Sequence, residues 1–152
     1  MLIRIATVAD YPELHRIRMS VRENVLSNPD AIDADDYREM ITERGRGWVY
    51  EVDGRIVGFS VGDHSTRNIW ALFVQPGFEG RGIGRALHDE MVRWLFEQSS
   101  EPLWLSTTPG TRAEGFYRAA GWRHAGDAPH GEIRLELDCP TGAYPEDSPE
   151  DR

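Results

Sequence analysis

Three glycines at alternate positions are the first feature of the sequence that could do chemistry. Gly80, Gly82 and Gly84 lie between an apolar run and a stretch with helical periodicity. The first turn of a helix has unpaired backbone N–H groups and a partial positive charge, so it attracts anions. Glycines let that backbone approach a phosphate without a Cβ in the way. The segment therefore predicts an anion-binding loop, to which Arg81 and Arg85 add positive charge.

Two common phosphate-binding motifs do not fit this loop. A Walker-type loop needs Gly-Lys-Ser/Thr, and the sequence contains no lysine. The dinucleotide fingerprint G-x-G-x-x-G would need a third glycine where Arg85 stands. Taken alone, the glycines are equally consistent with an ordinary turn between a strand and a helix.

Composition limits the class of protein and its partners. A chain of 152 residues suits one compact domain. Its net charge of −9 disfavours nucleic acid and anionic membranes as partners. The single Cys139 forms no internal disulfide, and we find neither a signal peptide nor an apolar run of membrane-spanning length. We therefore expect a cytoplasmic protein without a nucleic-acid or membrane partner.

The apolar pattern predicts the order β-α-α-β-β-β-α-β-α-β. Predicted strands cover 2–6, the two arms of a hairpin within 47–63, 68–74, 102–107 and 132–138; predicted helices cover 7–24, 33–45, 82–98 and 111–121. Asp53-Gly54 is the strongest hairpin signal, and Gly45 would end the second helix. This order suggests a mixed sheet with helices on both faces. We expect a single domain over 1–137, followed by an acidic, proline-containing tail over 138–152.

Two segments of the sequence carry a family resemblance. "LFVQPGFEGRGIGRAL", residues 72–87, resembles the acetyl-CoA-binding segment of the GNAT N-acetyltransferase superfamily, with its Q/R-x-x-G-x-G/A motif at 79–84. "AEGFYRAAGW", residues 113–122, is similar to the later A-x-x-F-Y-x-x-x-G-F segment of that family. Two motifs in the right order are more specific than either alone. The resemblance covers about residues 1–137.

The resemblance implies an α/β (α+β) fold with a mixed, mostly antiparallel sheet, helices on both faces and splayed central strands. A bulge in the strand before the glycines would free backbone amides for the pantetheine arm of acetyl-CoA, the implied cosubstrate, and no metal is implied. The amides near 72–74 would polarise the thioester, and those of 80–85 would hold the pyrophosphate. The implied cofactor-binding residues are Leu72, Phe73, Val74, Glu79, Gly80, Arg81, Gly82, Ile83, Gly84, Arg85 and Thr108.

The family's chemistry is direct attack of a neutral amine on the thioester. Tyr117 matches the general acid that protonates the departing thiolate. From the residues alone, Tyr117 could also be a core aromatic beside Phe116, and the motif favours the catalytic role.

Three positions depart from the family pattern. Glu79 replaces the usual Gln or Arg, and Gly110 replaces an Asn for which Thr108 or Thr111 would have to substitute. Asn68 stands where some relatives hold a carboxylate base, and an amide cannot accept the proton.

The general base and the acceptor site therefore stay open. Asp63, His64, Glu23 and a water relay are the alternatives for the base. Relatives build the acceptor site from the segment between the first two helices and from loops near the end of the chain. The corresponding residues here are Glu23, Asn24, Asp30 and Asp33, with Trp70 at the floor and the loop 123–132.

We expect an N-acetyltransferase that transfers the acetyl group of acetyl-CoA to a primary amine of a small molecule or peptide in a ternary complex. Two alternatives remain: a non-catalytic acyl-CoA-binding or sensor domain on the same fold, and a protein-interaction module. Members of the family commonly dimerise, so the resemblance also admits a homodimer.

Overall fold

The computed structural model describes residues 2–22 and 31–140. The strands are β1 Leu2–Ile5, β2 Gly45–Val52, β3 Arg55–Asp63, β4 Asn68–Val74, β5 Leu103–Thr107, β6 Arg123–Asp127 and β7 Ile133–Leu137. The helices are α1 Tyr11–Ser20, α2 Ala34–Glu39, α3 Ile83–Gln98 and α4 Arg112–Ala119. The strands form one sheet in the order β1-β2-β3-β4-β5-β7-β6.

Every neighbouring pair in the sheet is antiparallel except β4 and β5, which are parallel. The predicted hairpin is confirmed: Asp53 and Gly54 join β2 to β3 with φ of 54° and 78°. Positive φ at both positions is what a tight two-residue hairpin turn requires, and Asp-Gly supplies it at low steric cost. The predicted mixed, mostly antiparallel sheet is thus confirmed.

Helices cover both faces of the sheet, as predicted. One core packs α3 and α4 against the sheet, and a second core packs α1 and α2 against the opposite face. The face of β3 toward α3 carries Gly58, Ser60 and Gly62, and a Cβ on Gly62 would lie 2.8 Å from Leu95 Cδ1. These small residues let α3 lie close to the sheet, which fixes the position of its first turn.

The first two helices are shorter than predicted. α1 ends at Ser20, whose hydroxyl donates to the carbonyl of Ile17 at 2.7 Å, and Val21 is already extended with ψ of 151°. The predicted helical residues 23–24 lie outside the described residues. α2 ends at Glu39 and continues as one wider helical turn over Met40–Arg44. Gly45 ends this helical segment as predicted, directly after Arg44, and is also the first residue of β2.

The strand β6 is absent from the sequence prediction, which placed its residues in a loop over 123–132. That prediction was wrong for 123–127, because β6 has no apolar alternation and forms by pairing with β7. At the start of the predicted tail, Asp138 forms an ion pair with Arg123 at 3.0 Å. Cys139 is half-buried against the core beneath α3. Residues 141–152 of that tail lie outside the described residues.

Candidate active site

The two parallel strands at the centre of the sheet meet at one position. Asn68 pairs with Trp104, and the Asn68 side-chain amide also donates to the Trp104 carbonyl at 3.2 Å. Beyond this pair no further β4–β5 register is formed within the described strands, so the strands diverge toward Val74 and Thr107. The predicted splay of the central strands is confirmed. Asn68 stands where some relatives hold a carboxylate base, and here it closes the narrow end of the wedge.

β4 carries the bulge that the resemblance implies. On β3, Val61 pairs with Ala71 and the next residue, Gly62, pairs with Ile69. Trp70 is therefore an extra residue that has no partner in the register. Such a bulge frees backbone groups that the strand ladder would otherwise use.

A cleft of about 650 Å³ occupies the wedge between β4 and β5 and reaches the first turn of α3. It brings together most of the residues that the sequence singled out. The predicted residues that line it are Leu72, Phe73, Val74, Glu79, Gly80, Gly82, Gly84, Arg85 and Tyr117, together with Trp70.

Three predicted cofactor-binding residues place their side chains elsewhere. The Arg81 guanidinium lies over the Phe78 ring, 4.8 Å from its centroid. The Ile83 side chain is buried in the core, so for this residue the prediction concerns the backbone amide alone. Thr108 is exposed and absent from the cleft lining, and its carbonyl accepts a hydrogen bond from the Thr111 hydroxyl at 2.8 Å.

Other residues line the cleft without having been predicted. They are Val21, Arg22, Ile69, Ala71, Pro76, Phe78, Leu105, Ser106, Thr107, Arg112, Ala113 and Phe116. Ser106 and Thr107 end the strand that splays away, and a polar end on an otherwise apolar strand is the signal that could have found them. Arg22 comes to the cleft from the end of α1, and no local pattern indicates this.

The glycine loop is built as its sequence predicts. Gly80 and Gly82 have φ of 76° and 82°, in the left-handed region, and Gly82 is the N-cap of α3. The Glu79 carboxylate accepts the N–H of Gly77 at 2.8 Å. Its own backbone N–H and that of Gly77 lower the pKa of the Glu79 carboxyl, and Arg112 and Arg22 act in the same direction. The unexpected acid therefore folds back onto its own loop.

The second departure, Gly110, is also explained by local structure. Its N–H donates to the Glu114 carboxylate at 2.8 Å, and its φ of 83° suits glycine. The Thr111 hydroxyl oxygen accepts the Glu114 N–H at 3.3 Å and caps α4. Gly110 and Thr111 thus start the helix that carries Tyr117.

Tyr117 lies at the cleft with 8% of its surface exposed. Its ring packs edge-on against Phe116 and Trp122, at centroid distances of 5.2 and 5.5 Å. Burial raises the pKa of the Tyr117 phenol above its ordinary value, so the group stays protonated at neutral pH and can donate a proton.

The described base candidates lie outside the cleft. Asp63 is 1% exposed, pairs with Arg44 at 2.7 Å, and accepts the hydroxyls of Ser65 at 2.6 Å and Thr66 at 3.0 Å. It organises the turn before β4. His64 is exposed, and its Nδ1 lies 3.4 Å from an Arg67 guanidinium nitrogen.

The residues predicted to form the acceptor site are found in three places: the cleft, the N-cap of a helix, and the part of the chain that the structure does not describe. Trp70 lines the cleft, and Asp33 caps α2 by accepting the Asp36 N–H at 3.0 Å. Glu23, Asn24 and Asp30 lie outside the described residues. Among the residues that are described, Glu79 provides the one carboxylate in the cleft lining.

The described residues, 2–22 and 31–140, also bear on metal binding and on membrane insertion. No group of three or more His, Cys, Asp or Glu side chains is placed to hold a metal ion. No helix in this part of the chain combines the length and apolar character needed to cross a membrane. A second, smaller cavity of about 270 Å³ lies between β1, β2 and α3 and contains none of the predicted site residues.

The sheet is thus splayed at its one parallel pair, the glycine loop lies at the first turn of α3, and Tyr117 lies in the wall of the cleft between them. A model of the acetyltransferase (GNAT) family matches residues 11–122. The chain belongs to this family of acyltransferases.

Solved structures of several N-acetyltransferases are similar to this chain. A ribosomal-protein-alanine N-acetyltransferase from Brucella melitensis is 23% identical, with a TM-score of 0.71 over 91% of this chain and 99% of that one. The PaiA N-acetyltransferase from Thermoplasma acidophilum, solved with coenzyme A, is 14% identical, with a TM-score of 0.77 over 91% and 99%. A GNAT-family acetyltransferase from Staphylococcus aureus Mu50 is 18% identical, with a TM-score of 0.77 over 91% and 99%. These likenesses confirm the predicted fold.

Proposed function

We propose that this protein transfers the acetyl group of acetyl-CoA to a primary amine of a small molecule or peptide, by direct attack in a ternary complex. The observation that supports this most is the wedge between β4 and β5, which is closed at Asn68 and has Tyr117 in its wall. The wedge offers the unpaired strand edges that an extended pantetheine arm needs, and it leads to the glycine loop.

The two ends of the cleft suit the two ends of acetyl-CoA. At the wide end, the first turn of α3 presents backbone N–H groups after Gly80 and Gly82, and Arg22, Arg85 and Arg112 line the same cleft. Helix N-termini and arginines both favour phosphate oxygens. At the narrow end the lining is mostly apolar, which suits the pantetheine arm and the thioester. The structural relative from Thermoplasma acidophilum was solved with coenzyme A, which agrees with this choice of cosubstrate.

In the proposed reaction, the amine nitrogen forms a bond to the thioester carbonyl carbon and the carbon–sulfur bond then breaks. Backbone N–H groups near Leu72, Phe73 and Val74, which follow the bulge, would stabilise the developing oxyanion. The Tyr117 phenol gives its proton to the departing thiolate, and the tyrosinate that is left then takes up a proton from solvent. The proton lost by the amine would leave to water or to Glu23, because Asp63 and His64 lie outside the cleft and Glu23 lies outside the described residues.

The experiment is a thiol-release assay with acetyl-CoA and a panel of amines. The panel contains diamines, amino sugars, amino acids and short peptides with a free N-terminus. A peptide beginning with alanine belongs in it, because one structural relative is a ribosomal-protein-alanine N-acetyltransferase. An N-acetylated copy of each productive acceptor is the matched control and should release no thiol above background.

Tyr117→Phe tests the proton donor directly. We expect kcat to fall by roughly a hundredfold or more, the usual contribution of a general acid, with little change in acetyl-CoA affinity. The measurements are kcat from the thiol assay and Kd from calorimetry. A Tyr117→Phe protein that turns over at the wild-type rate would contradict the role of Tyr117.

A non-catalytic acyl-CoA-binding domain is the second candidate. The observation that favours it concerns the general base. Glu79 carries the one carboxylate in the described cleft lining, and this carboxylate is bound to its own loop rather than placed to accept a proton. Such a domain would be stabilised by acetyl-CoA in a thermal-shift assay and yet release no thiol with any amine. A protein-interaction module would show neither effect.

A further inference from the structure

A buried histidine lies beneath the cleft in a defined protonation state. His88 on α3 is 2% exposed, with its Nδ1 2.9 Å from Asp89 Oδ1 and its Nε2 3.0 Å from Trp122 Nε1. An indole N–H can only donate, so Nε2 must accept. The ring proton therefore lies on Nδ1 and is donated to the Asp89 carboxylate. These two hydrogen bonds require a neutral imidazole in a single tautomer.

Trp122, whose indole donates to His88, contacts Tyr117 in two ways. Its backbone N–H donates to the Tyr117 carbonyl at 3.0 Å. Its indole packs against the phenol ring with centroids 5.5 Å apart and planes at 71°. The His88 ring itself lies 6.2 Å from the Tyr117 ring and 5.7 Å from the Phe116 ring. A shift of Trp122 would therefore move the phenol.

The surroundings keep His88 neutral. Burial is the main cause that lowers the pKa of its imidazole, and Asp89 opposes this while Arg85 adds to it. Asp89 and Arg85 are the charged groups facing the ring from α3. From α4 the titratable neighbour is Tyr117, which is itself neutral, and Trp122 carries no charge.

We propose that His88 is a positioning residue for acetyl transfer: its neutral ring anchors Trp122, which holds the Tyr117 phenol in place at the cleft. This inference rests on the proposed role of Tyr117 as proton donor. Protonation of His88 would put a second donor at Nε2, facing the donor of Trp122. The hydrogen bond would then be lost and the phenol displaced.

The test compares four variants in the full chain. His88→Gln keeps an acceptor near the position of Nε2, and His88→Leu removes it. Trp122→Phe removes the donor, and the double variant His88→Leu/Trp122→Phe replaces the whole pair by apolar groups. His124→Gln, the same change at an exposed histidine on β6, is the matched control.

We expect His88→Leu and Trp122→Phe to lower kcat by roughly tenfold to a hundredfold, the scale of a misplaced catalytic group. Acetyl-CoA affinity should change little, and His88→Gln should retain most of kcat. The double variant should recover thermal stability, because it leaves no buried donor or acceptor unpaired, but kcat should stay low. If kcat recovers together with the melting temperature, His88 is merely structural and the proposal is overturned.

The pH dependence gives a second readout. We expect the activity ratio of His88→Gln to wild type to rise once the pH falls below the folded-state pKa of His88, which burial places under the ordinary histidine value of about 6.5. Protonation of the amine acceptor lowers both activities by the same factor, so it does not change this ratio. A ratio that stays flat over the pH range in which ring-nitrogen NMR shows His88 becoming charged would overturn the proposal.

A nitrogen-15 NMR spectrum of the histidine rings keeps the two proposals distinguishable. It should show His88 as the Nδ1–H tautomer at pH 7, whether or not any acceptor amine is found. An Nε2–H tautomer or a charged ring would overturn the positioning role alone. A fully active Tyr117→Phe protein would instead remove the proton-donor role on which the positioning role rests, and a wild-type protein that releases no thiol with any amine would remove the proposed function.

Discussion

Glu79 shows how a residue that departs from a family pattern can be accommodated. Its carboxylate accepts the Gly77 N–H and stays within its own loop, so the backbone of the anion site keeps its shape. Its charge nevertheless remains close to the glycines where phosphate is proposed to bind. The residue should therefore cost some affinity for the cosubstrate without disrupting the site.

Replacing Glu79 by Gln tests this interpretation. The Gln oxygen can still accept the Gly77 N–H, while the negative charge is removed. We expect the Kd for acetyl-CoA to fall by roughly two- to fivefold at low salt, and by less at high salt, where such charges are screened. Calorimetry at two ionic strengths measures both.

Glu43→Gln is the matched control for Glu79→Gln. It makes the same charge change at an exposed acid that pairs with Arg38. If the two variants change the Kd equally, only net charge matters and the local interpretation of Glu79 is wrong.

The site residues were predictable where a local motif fixes them. Gly80 and Gly82 have the backbone conformation that their sequence indicates, because the turn into α3 depends on a few adjacent residues. Arg22 and Ser106 reach the cleft only through the packing of α1 and the splay of β5. His88 has no local signal in the sequence, since its partner Trp122 is 34 residues away.

At the scale of elements, β2 and β3 approach each other closely at one glycine. A Cβ on Gly45 would collide with the carbonyl oxygen of Gly62 on the neighbouring strand. Backbone atoms cannot move aside as a flexible side chain can. Gly45 is thus required for the register of the two strands.

Gly45→Ala should lower the free energy of unfolding by about 1–3 kcal/mol, the usual cost of overpacking. The control is Gly115→Ala in α4, where an added Cβ would meet nothing within 4 Å. There we expect a gain of about 0.5–1 kcal/mol, because alanine favours the helix. Urea denaturation measures both changes, and equal midpoints for the two variants would refute the predicted collision.

The helices and strands that the sequence predicts well are those whose formation depends on a few neighbouring residues. The hairpin at Asp53-Gly54 follows from two residues, and the apolar stripe of α3 follows from its own periodicity. β6 depends on pairing with β7, and its residues include glycine and charged side chains that give no strand signal. Gly45 has a second role that the sequence does not indicate, since it ends the helical segment and also permits a close contact between two strands.

At the scale of the whole molecule, the closed end of the wedge is reinforced from α3. The Arg67 guanidinium donates to the carbonyls of Leu95 at 3.0 Å and of Ser99 and Glu101 at 2.7 Å each. Its own carbonyl accepts the Trp104 N–H at 3.0 Å. Arg67 thus joins the end of α3 through its side chain to the start of β5 through its backbone carbonyl, directly before β4 begins. The wedge therefore opens in one direction only.

Stability as a whole should depend on pH through His88. Its pKa is lower in the folded state than in the unfolded chain, so the unfolded state binds more protons as the pH falls below 6.5. The free energy of unfolding should then fall by up to about 1.4 kcal/mol per pH unit in that range. Above pH 6.5 the contribution of His88 should be constant.

Denaturation of the wild type and of His88→Gln at pH 7.5 and 5.5 tests this dependence. Contributions from other titrating groups cancel in the difference between the two proteins. The loss between the two pH values should be smaller in His88→Gln. A loss of the same size in both would mean that His88 keeps its ordinary pKa in the fold.

The single pairing of β4 with β5 gives the sheet four edges rather than two. Besides the outer edges of β1 and β6, two inner edges face each other across the wedge, and open strand edges are templates for unwanted pairing with other chains. A cosubstrate lying between them would cover both at once. We therefore expect the ligand-free protein to aggregate more readily than the protein with acetyl-CoA bound.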